Sequence, residues 1–79
     1  MYNIKVEDSN RLNNNFTYHA PFGDQSQRYG DIRDAAKAYA TSLMQNCPPS
    51  RELSLALTKI EEVVFWANAA IARNEKEVV

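Results

Sequence analysis

The segment Val63–Ala72 reads VVFWANAAIA, and wound at helical pitch it is apolar on nearly every face. Leu53, Leu57, Ile60, Val64, Ala67 and Ile71 recur at alternating spacings of four and three. This is a heptad seam of the kind that packs one helix along another. Ala56, Val63 and Ala70 form a second stripe beside it, with Trp66 at its outer edge, and Phe65, Ala69 and Ala72 occupy a third face. A helix that is hydrophobic all round is buried all round. One neighbouring helix cannot cover three faces, so the segment predicts a helical homo-oligomer, with Ala67, Ala69, Ala70 and Ala72 allowing close approach. The competing reading is a sticky, poorly behaved monomer.

A partner helix lies upstream. Tyr29, Ile32, Ala36, Tyr39 and Leu43 recur at alternating spacings of three and four and give one apolar seam. Asp24 and Gln27 have capping-box spacing, so this helix is expected over residues 24–47. Gly30 costs about 1 kcal/mol against alanine or marks a close approach of another backbone. Pro48 biases Cys47 away from helical geometry. Pro48, Pro49 and Ser50 connect to the second helix, expected over residues 50–75, with Ser50 as N-cap or Pro49 as its first residue. So short a connection predicts an antiparallel hairpin. The C-terminal NEKEVV is polar enough to fray. Residues 1–15 contain five asparagines and little periodicity. They are expected to form a flexible or extended arm, with a short edge strand possible where Tyr2, Ile4 and Val6 alternate with polar residues. The reading is thus all-α: an N-terminal arm, 1–15, and a helical hairpin, 16–79.

Seventy-nine residues make one small domain, which without disulfides or metals often needs partners to be stable. The single cysteine, Cys47, permits no internal disulfide and fits a reducing compartment. The N-terminus carries charges where a signal peptide needs an apolar run, and the longest strictly apolar run, Val63–Ala67, is far short of a bilayer span. These features predict a soluble intracellular protein with no membrane association. Nine basic and ten acidic residues give a net charge of −1. That argues against binding DNA or RNA polymers, which leave a strongly basic footprint. A small anionic ligand needs only one or two well-placed cations.

Signs of catalysis are weak. One histidine and one cysteine lie on different elements, no CxxC, HExxH or second histidine offers metal-ligand spacing, and no cofactor motif is present. Glu61 and Glu62 are adjacent, diverge on a helix, and read as a solvated face. Binding features are better. FTYHAP, Phe16–Pro21, places two aromatics and the only histidine in an arm too short to build a core. Tyr18 offers a flat face for a base, a stacking contact worth roughly 1–3 kcal/mol in nucleic-acid complexes. Arg33 and Arg28 lie on opposite flanks of the first helix seam, and the planar guanidinium fork suits phosphate. Arg73 shares a face with Trp66. Each has a plainer role: Tyr18 and Phe16 sealing the arm onto a groove, Arg33 pairing with an acid, Arg73 answering the C-terminal dipole of its own helix. The residues alone leave these alternatives open.

FTYHAP, then RYGDIR, then CPPSRELSLALTKIEEVVFWANAAIARNE resemble the helical-hairpin family of phage anti-defence sponges. That family includes the anti-CBASS cyclic-oligonucleotide sponges and the hairpin part of the anti-Thoeris sponges. The string from SREL to ARNE is the most specific part. FTYH near the N-terminus points to the anti-CBASS branch, since anti-Thoeris proteins add a β-rich N-terminal domain. The resemblance implies a compact hexamer that holds cyclic oligonucleotide second messengers intact in pockets between subunits, in the cytoplasm of an infected bacterium. It implies no catalysis and no cofactor. By the same resemblance a tyrosine of the arm covers a base and a basic residue of the first helix meets the phosphates, roles that fall to Tyr18 and Arg33. Arg73 matches a basic residue that serves cyclic trinucleotides at a separate site in some relatives. Arg28 is a further candidate.

On that reading FTYHAP is an arm lying over a neighbouring subunit. Tyr18 is its lid and Phe16 its anchor, and Thr17 and His19 offer hydrogen bonds near the ligand. The rival is an oligomeric helical hairpin that binds another protein; a phosphodiesterase is a third possibility.

Overall fold

The computed structural model describes residues 1–78; Val79, the last residue of the expected hairpin segment, lies outside them. Among the described residues there are three helices and no strand: α1 (Val6–Asn15), α2 (Gln25–Asn46) and α3 (Arg51–Asn74). The long helices fill the two segments expected from the sequence to within a residue at each end.

The first correction is α1. Residues expected to be loose or extended form a ten-residue helix, and Tyr2, Ile4 and Val6 make no strand. It buries no apolar stripe: Val6 and Leu12 are both exposed. Its support is electrostatic and local. Glu7 and Asp8 lie in the first turn, where the helix dipole favours negative charge. Arg11 donates to Asp8 at 3.1 Å, one turn away. So short a helix is marginal in isolation, and Asn14 ties it to the rest of the chain by donating from Nδ2 to the backbone carbonyl of Arg73 at 2.9 Å.

The entry to α2 is the second correction. Asp24 precedes the helix but caps nothing with its side chain, and Gln27 reaches forward to Asp31 at 2.9 Å. Asp24 has φ −91° and ψ 11°, not the extended conformation from which an N-cap side chain reaches back over the first turn. A tight turn does the work. Gln25 N–H donates to Phe22 O, and Phe22 N–H donates to Gln25 Oε1, both at 3.1 Å. Gly23 sits in this turn at φ +56°, a region that glycine enters without a Cβ clash. Within the chain, among the described residues, no second backbone approaches Gly30: a Cβ there would meet only the Arg33 guanidinium, at 3.8 Å.

α2 ends as the proline predicts, with Cys47 extended at φ −121° and its N–H closing the helix on Leu43 O at 2.9 Å. Ser50 is the N-cap of α3. Its backbone is extended and its Oγ accepts from Leu53 N–H at 3.1 Å.

α2 and α3 then run antiparallel. Ala40 and Met44 neighbour Leu57 at one end of the hairpin, and Tyr29 and Arg33 neighbour Ala69–Arg73 at the other. Every member of the α3 seam, from Leu53 to Ile71, is half-buried, as are Tyr29, Ile32, Ala36 and Leu43 of α2; Tyr39 is exposed. Among the described residues no hydrophobic side chain is fully buried, and Val63, Phe65 and Trp66 remain 62%, 66% and 65% exposed. The molecule measures 48 × 40 × 13 Å, with a radius of gyration of 17.0 Å. A compact chain of this length has a radius of gyration of about 12 Å, and 13 Å is little more than one helix diameter. The chain is a single layer of helices, and among the described residues only Gln25 is buried.

Candidate functional site

Near its open end the hairpin forms a cleft of about 420 Å³. Tyr29 and Arg33 come from α2, one turn apart on one face. Asn68, Ala69, Ala72 and Arg73 come from α3, where spacings of one, three and one keep all four on one side. His19 of the arm completes the wall. The two alanines keep the floor shallow and the two arginines stand on opposite helices.

The electrostatics are one-sided. Neither Arg33 nor Arg73 makes an ion pair among the described residues, whose pairs are Arg11–Asp8, Arg28 with Asp24 and Glu75, and Lys59–Glu62. The plain alternative for Arg33, an acidic partner in its own chain, is therefore not what the hairpin provides. Arg73 sits in the last turn of α3, where the dipole favours a cation. Asn68 adds an anomaly: its Oδ1 is buried and has no hydrogen-bond partner among the described residues, although buried polar atoms nearly always have one. Chemically, the cleft offers two guanidinium forks, a phenol, an imidazole and a carboxamide, a set that can meet an anion and a flat ring. Among the described residues no group of His, Cys, Asp and Glu is arranged to hold a metal ion.

The sequence-derived candidates divide. His19, Arg33 and Arg73 meet at the cleft. His19 keeps its place through the backbone, with Nε2 2.8 Å from Asn14 O. Tyr18 does not line the cleft; it stands 83% exposed on the arm beside Phe16 at 85%. The Thr17 hydroxyl donates to Asn13 O and so closes α1. Arg28 has other business. Its Nε donates to Asp24 Oδ1 at 3.1 Å, its Nη1 to Glu75 Oε2 at 2.7 Å and its Nη2 to Glu75 Oε1 at 2.5 Å. All three of its nitrogens are thus engaged within the chain. The hydrogen bonds from Arg28, with a second from Gln25, hold the Glu75 carboxyl down to about 2, and the Arg28 guanidinium is pushed up in turn, chiefly by Glu75.

Tyr29 and Asn68 are cleft residues that the sequence reading did not single out. Tyr29 was absorbed by the apolar seam. Asn68 carried a signal, since it is the one polar residue within VVFWANAAIA.

A family model described as Acb2/Tad1, hairpin domain, matches residues 8–72. No curated protein and no solved structure matches the chain significantly. The match spans most of α1, FTYHAP, α2 and nearly all of α3, and it agrees with the resemblance carried by FTYHAP and the SREL–ARNE string. The chain therefore belongs to the Acb2/Tad1 hairpin-domain family, the family of the phage anti-CBASS and anti-Thoeris sponges.

Proposed function

We propose that this chain is a non-enzymatic sponge that binds host cyclic oligonucleotide second messengers and sequesters them intact, so blocking CBASS immunity in the cytoplasm of an infected bacterium. The observation that carries the reading is the pair of arginines without ion-pair partners, Arg33 and Arg73, facing one cleft beside Tyr29 and His19 in a member of the sponge family. Cyclic dinucleotides such as cyclic GMP-AMP are the first ligand class. They carry two phosphates and two bases, and a pocket for them needs cations together with flat faces. Arg33 meets phosphate through its fork. Tyr18, held out on the arm, covers a base in a pocket shared with a second subunit, and Thr17 and His19 hydrogen-bond at its edge. The assembly is a homo-oligomer, a hexamer by family likeness, and the exposed Val63, Phe65 and Trp66 supply its apolar contacts. A two-fold ligand suits a two-fold pair of subunits, each contributing the same residues.

The rival is an oligomeric hairpin whose exposed apolar residues dock another protein. One experiment separates the readings. The protein is incubated with cyclic dinucleotides and cyclic trinucleotides, freed of unbound ligand, and denatured, and the released material is analysed. Intact ligand supports the sponge. Linear products mean a phosphodiesterase, and no retention favours the interaction module. Arg73→Ala then assigns the second arginine: loss of trinucleotide binding alone gives it a site of its own, and equal loss of both ligands joins it to Arg33 in one.

A further inference from the structure

The ARNE string contributes more than Arg73. Glu75 follows the last turn of α3, closing it with its own N–H on Ile71 O at 3.2 Å, and its carboxylate is gripped by both Nη atoms of Arg28. The same carboxylate accepts from Gln25 Nε2 at 3.3 Å. Gln25 is 2% exposed and is the only buried residue described in the molecule. Its other amide atom, Oε1, accepts from Phe22 N–H. A continuous path of hydrogen bonds therefore runs from the end of α3, through Glu75 and Gln25, to the backbone where the arm enters α2. At the arm's other end, Asn14 donates to Arg73 O and its own carbonyl bonds His19. Between these two attachments Phe16 and Tyr18 stand almost wholly in solvent.

We infer that Glu75 and Gln25 are positioning residues for the arm: a latch on the C-terminal end of α3 that fixes the base of the FTYHAP segment and thereby sets how long a ligand is retained beneath it. This rests on the sponge function proposed above. Neither residue touches the cleft, so the latch acts through the arm's geometry. A lid held at both ends loses less freedom when it closes, and preorganisation of this kind raises affinity. The benefit falls on dissociation rather than encounter, because interface changes act mostly on the off-rate.

The test compares the parent with Glu75→Ala, Gln25→Leu and the double variant, using cyclic GMP-AMP as probe, stopped-flow rates, and hydrogen exchange of the ligand-free proteins. Each single variant is expected to raise the off-rate on the order of tenfold and to leave the on-rate within about twofold. The double variant should be no worse than the worse single one, because residues in series on one path are not additive. Exchange should quicken over residues 16–24 and stay parental along the middle of α2 and α3. Glu75→Gln, which keeps an acceptor for Gln25 and loses the charge, should fall between parent and Glu75→Ala. Parental off-rates in Glu75→Ala, additive losses in the double variant, or faster exchange spread along the whole hairpin each overturn the inference. A parent that binds no cyclic oligonucleotide overturns the proposed function instead, and the exchange pattern then decides whether the latch holds the arm.

Discussion

Trp66→Ala is the sharpest probe of assembly. In the single chain the indole is 65% exposed, so truncation removes little that the chain itself uses. Of the roughly 250 Å² that a tryptophan side chain can bury, about 160 Å² remains for a second subunit, worth up to ~4 kcal/mol per protomer at about 25 cal/mol per Å². That corresponds to roughly a thousandfold in the association constant of each contact it joins. The expected result is a parent that sediments as an oligomer at micromolar concentration and a variant that sediments as smaller species with its helical circular dichroism retained. The parent offers a second readout, because Trp66 is the only tryptophan. Its emission should be that of a buried indole and should shift toward the solvent-exposed value on dilution. A variant that sediments like the parent, or a parent whose emission is already that of free indole, refutes the reasoning. Ala67→Glu is a blunter tool, since Ala67 is half-buried on the hairpin seam and a charge there disturbs the protomer as well as the assembly.

Tyr18→Ala and Arg33→Ala should each lower cyclic dinucleotide affinity at least about tenfold, 1.4 kcal/mol, with the oligomer intact; calorimetry beside sedimentation checks both, and parental affinity in Tyr18→Ala would make the arm a structural clasp. Ser50→Ala removes the acceptor of Leu53 N–H and should cost about 1 kcal/mol, read as a fall of roughly 4–8 °C in the melting midpoint at fixed protein concentration; an unchanged midpoint would mean that the cap contributes nothing. Acid should weaken the latch. The Glu75 carboxyl is held at about 2 against an ordinary 4.5, so its contribution is complete above 4.5 and is lost as pH falls from there through 2. Glu75→Gln should lower stability at neutral pH and flatten the acid limb of the stability profile over that window. A variant profile parallel to the parent's would show that the carboxylate is not linked to folding.

The hairpin was legible because its signals are periodic and local. The two seams, the proline after Cys47 and the serine before α3 each name an element or its boundary through a short-range physical cause. α1 was illegible for the converse reason. It buries no apolar stripe, and its asparagines are poor helix formers; what holds it is an Asp8–Arg11 pair and a distant bond from Asn14 to Arg73. The capping-box spacing of Asp24 and Gln27 misled because it says nothing about backbone dihedrals, and the turn at Gly23 left Asp24 in the wrong conformation to use it. At the site, a seam position and a ligand-facing position overlap at Tyr29, and periodicity cannot divide them. Arg28 and Arg33 look alike in sequence. Only the return of Glu75, 47 residues away, separates a structural arginine from one left without an acidic partner.

A layer 13 Å thick, with only Gln25 buried among the described residues, has little stability that belongs to one chain. In the homo-oligomer proposed above, folding and association draw on the same apolar surface, and the fraction of native protein depends on how many copies are present. For the sponge proposed above, which acts by stoichiometry, this makes capacity a threshold function of expression. On the proposed reading, chains below the concentration at which subunits find one another lack the contacts that complete their fold, and pockets built between subunits do not exist. Above it, protomers and binding sites appear together. Doubling synthesis near that point more than doubles the ligand that can be held, so the timing and strength of expression act as part of the binding machinery.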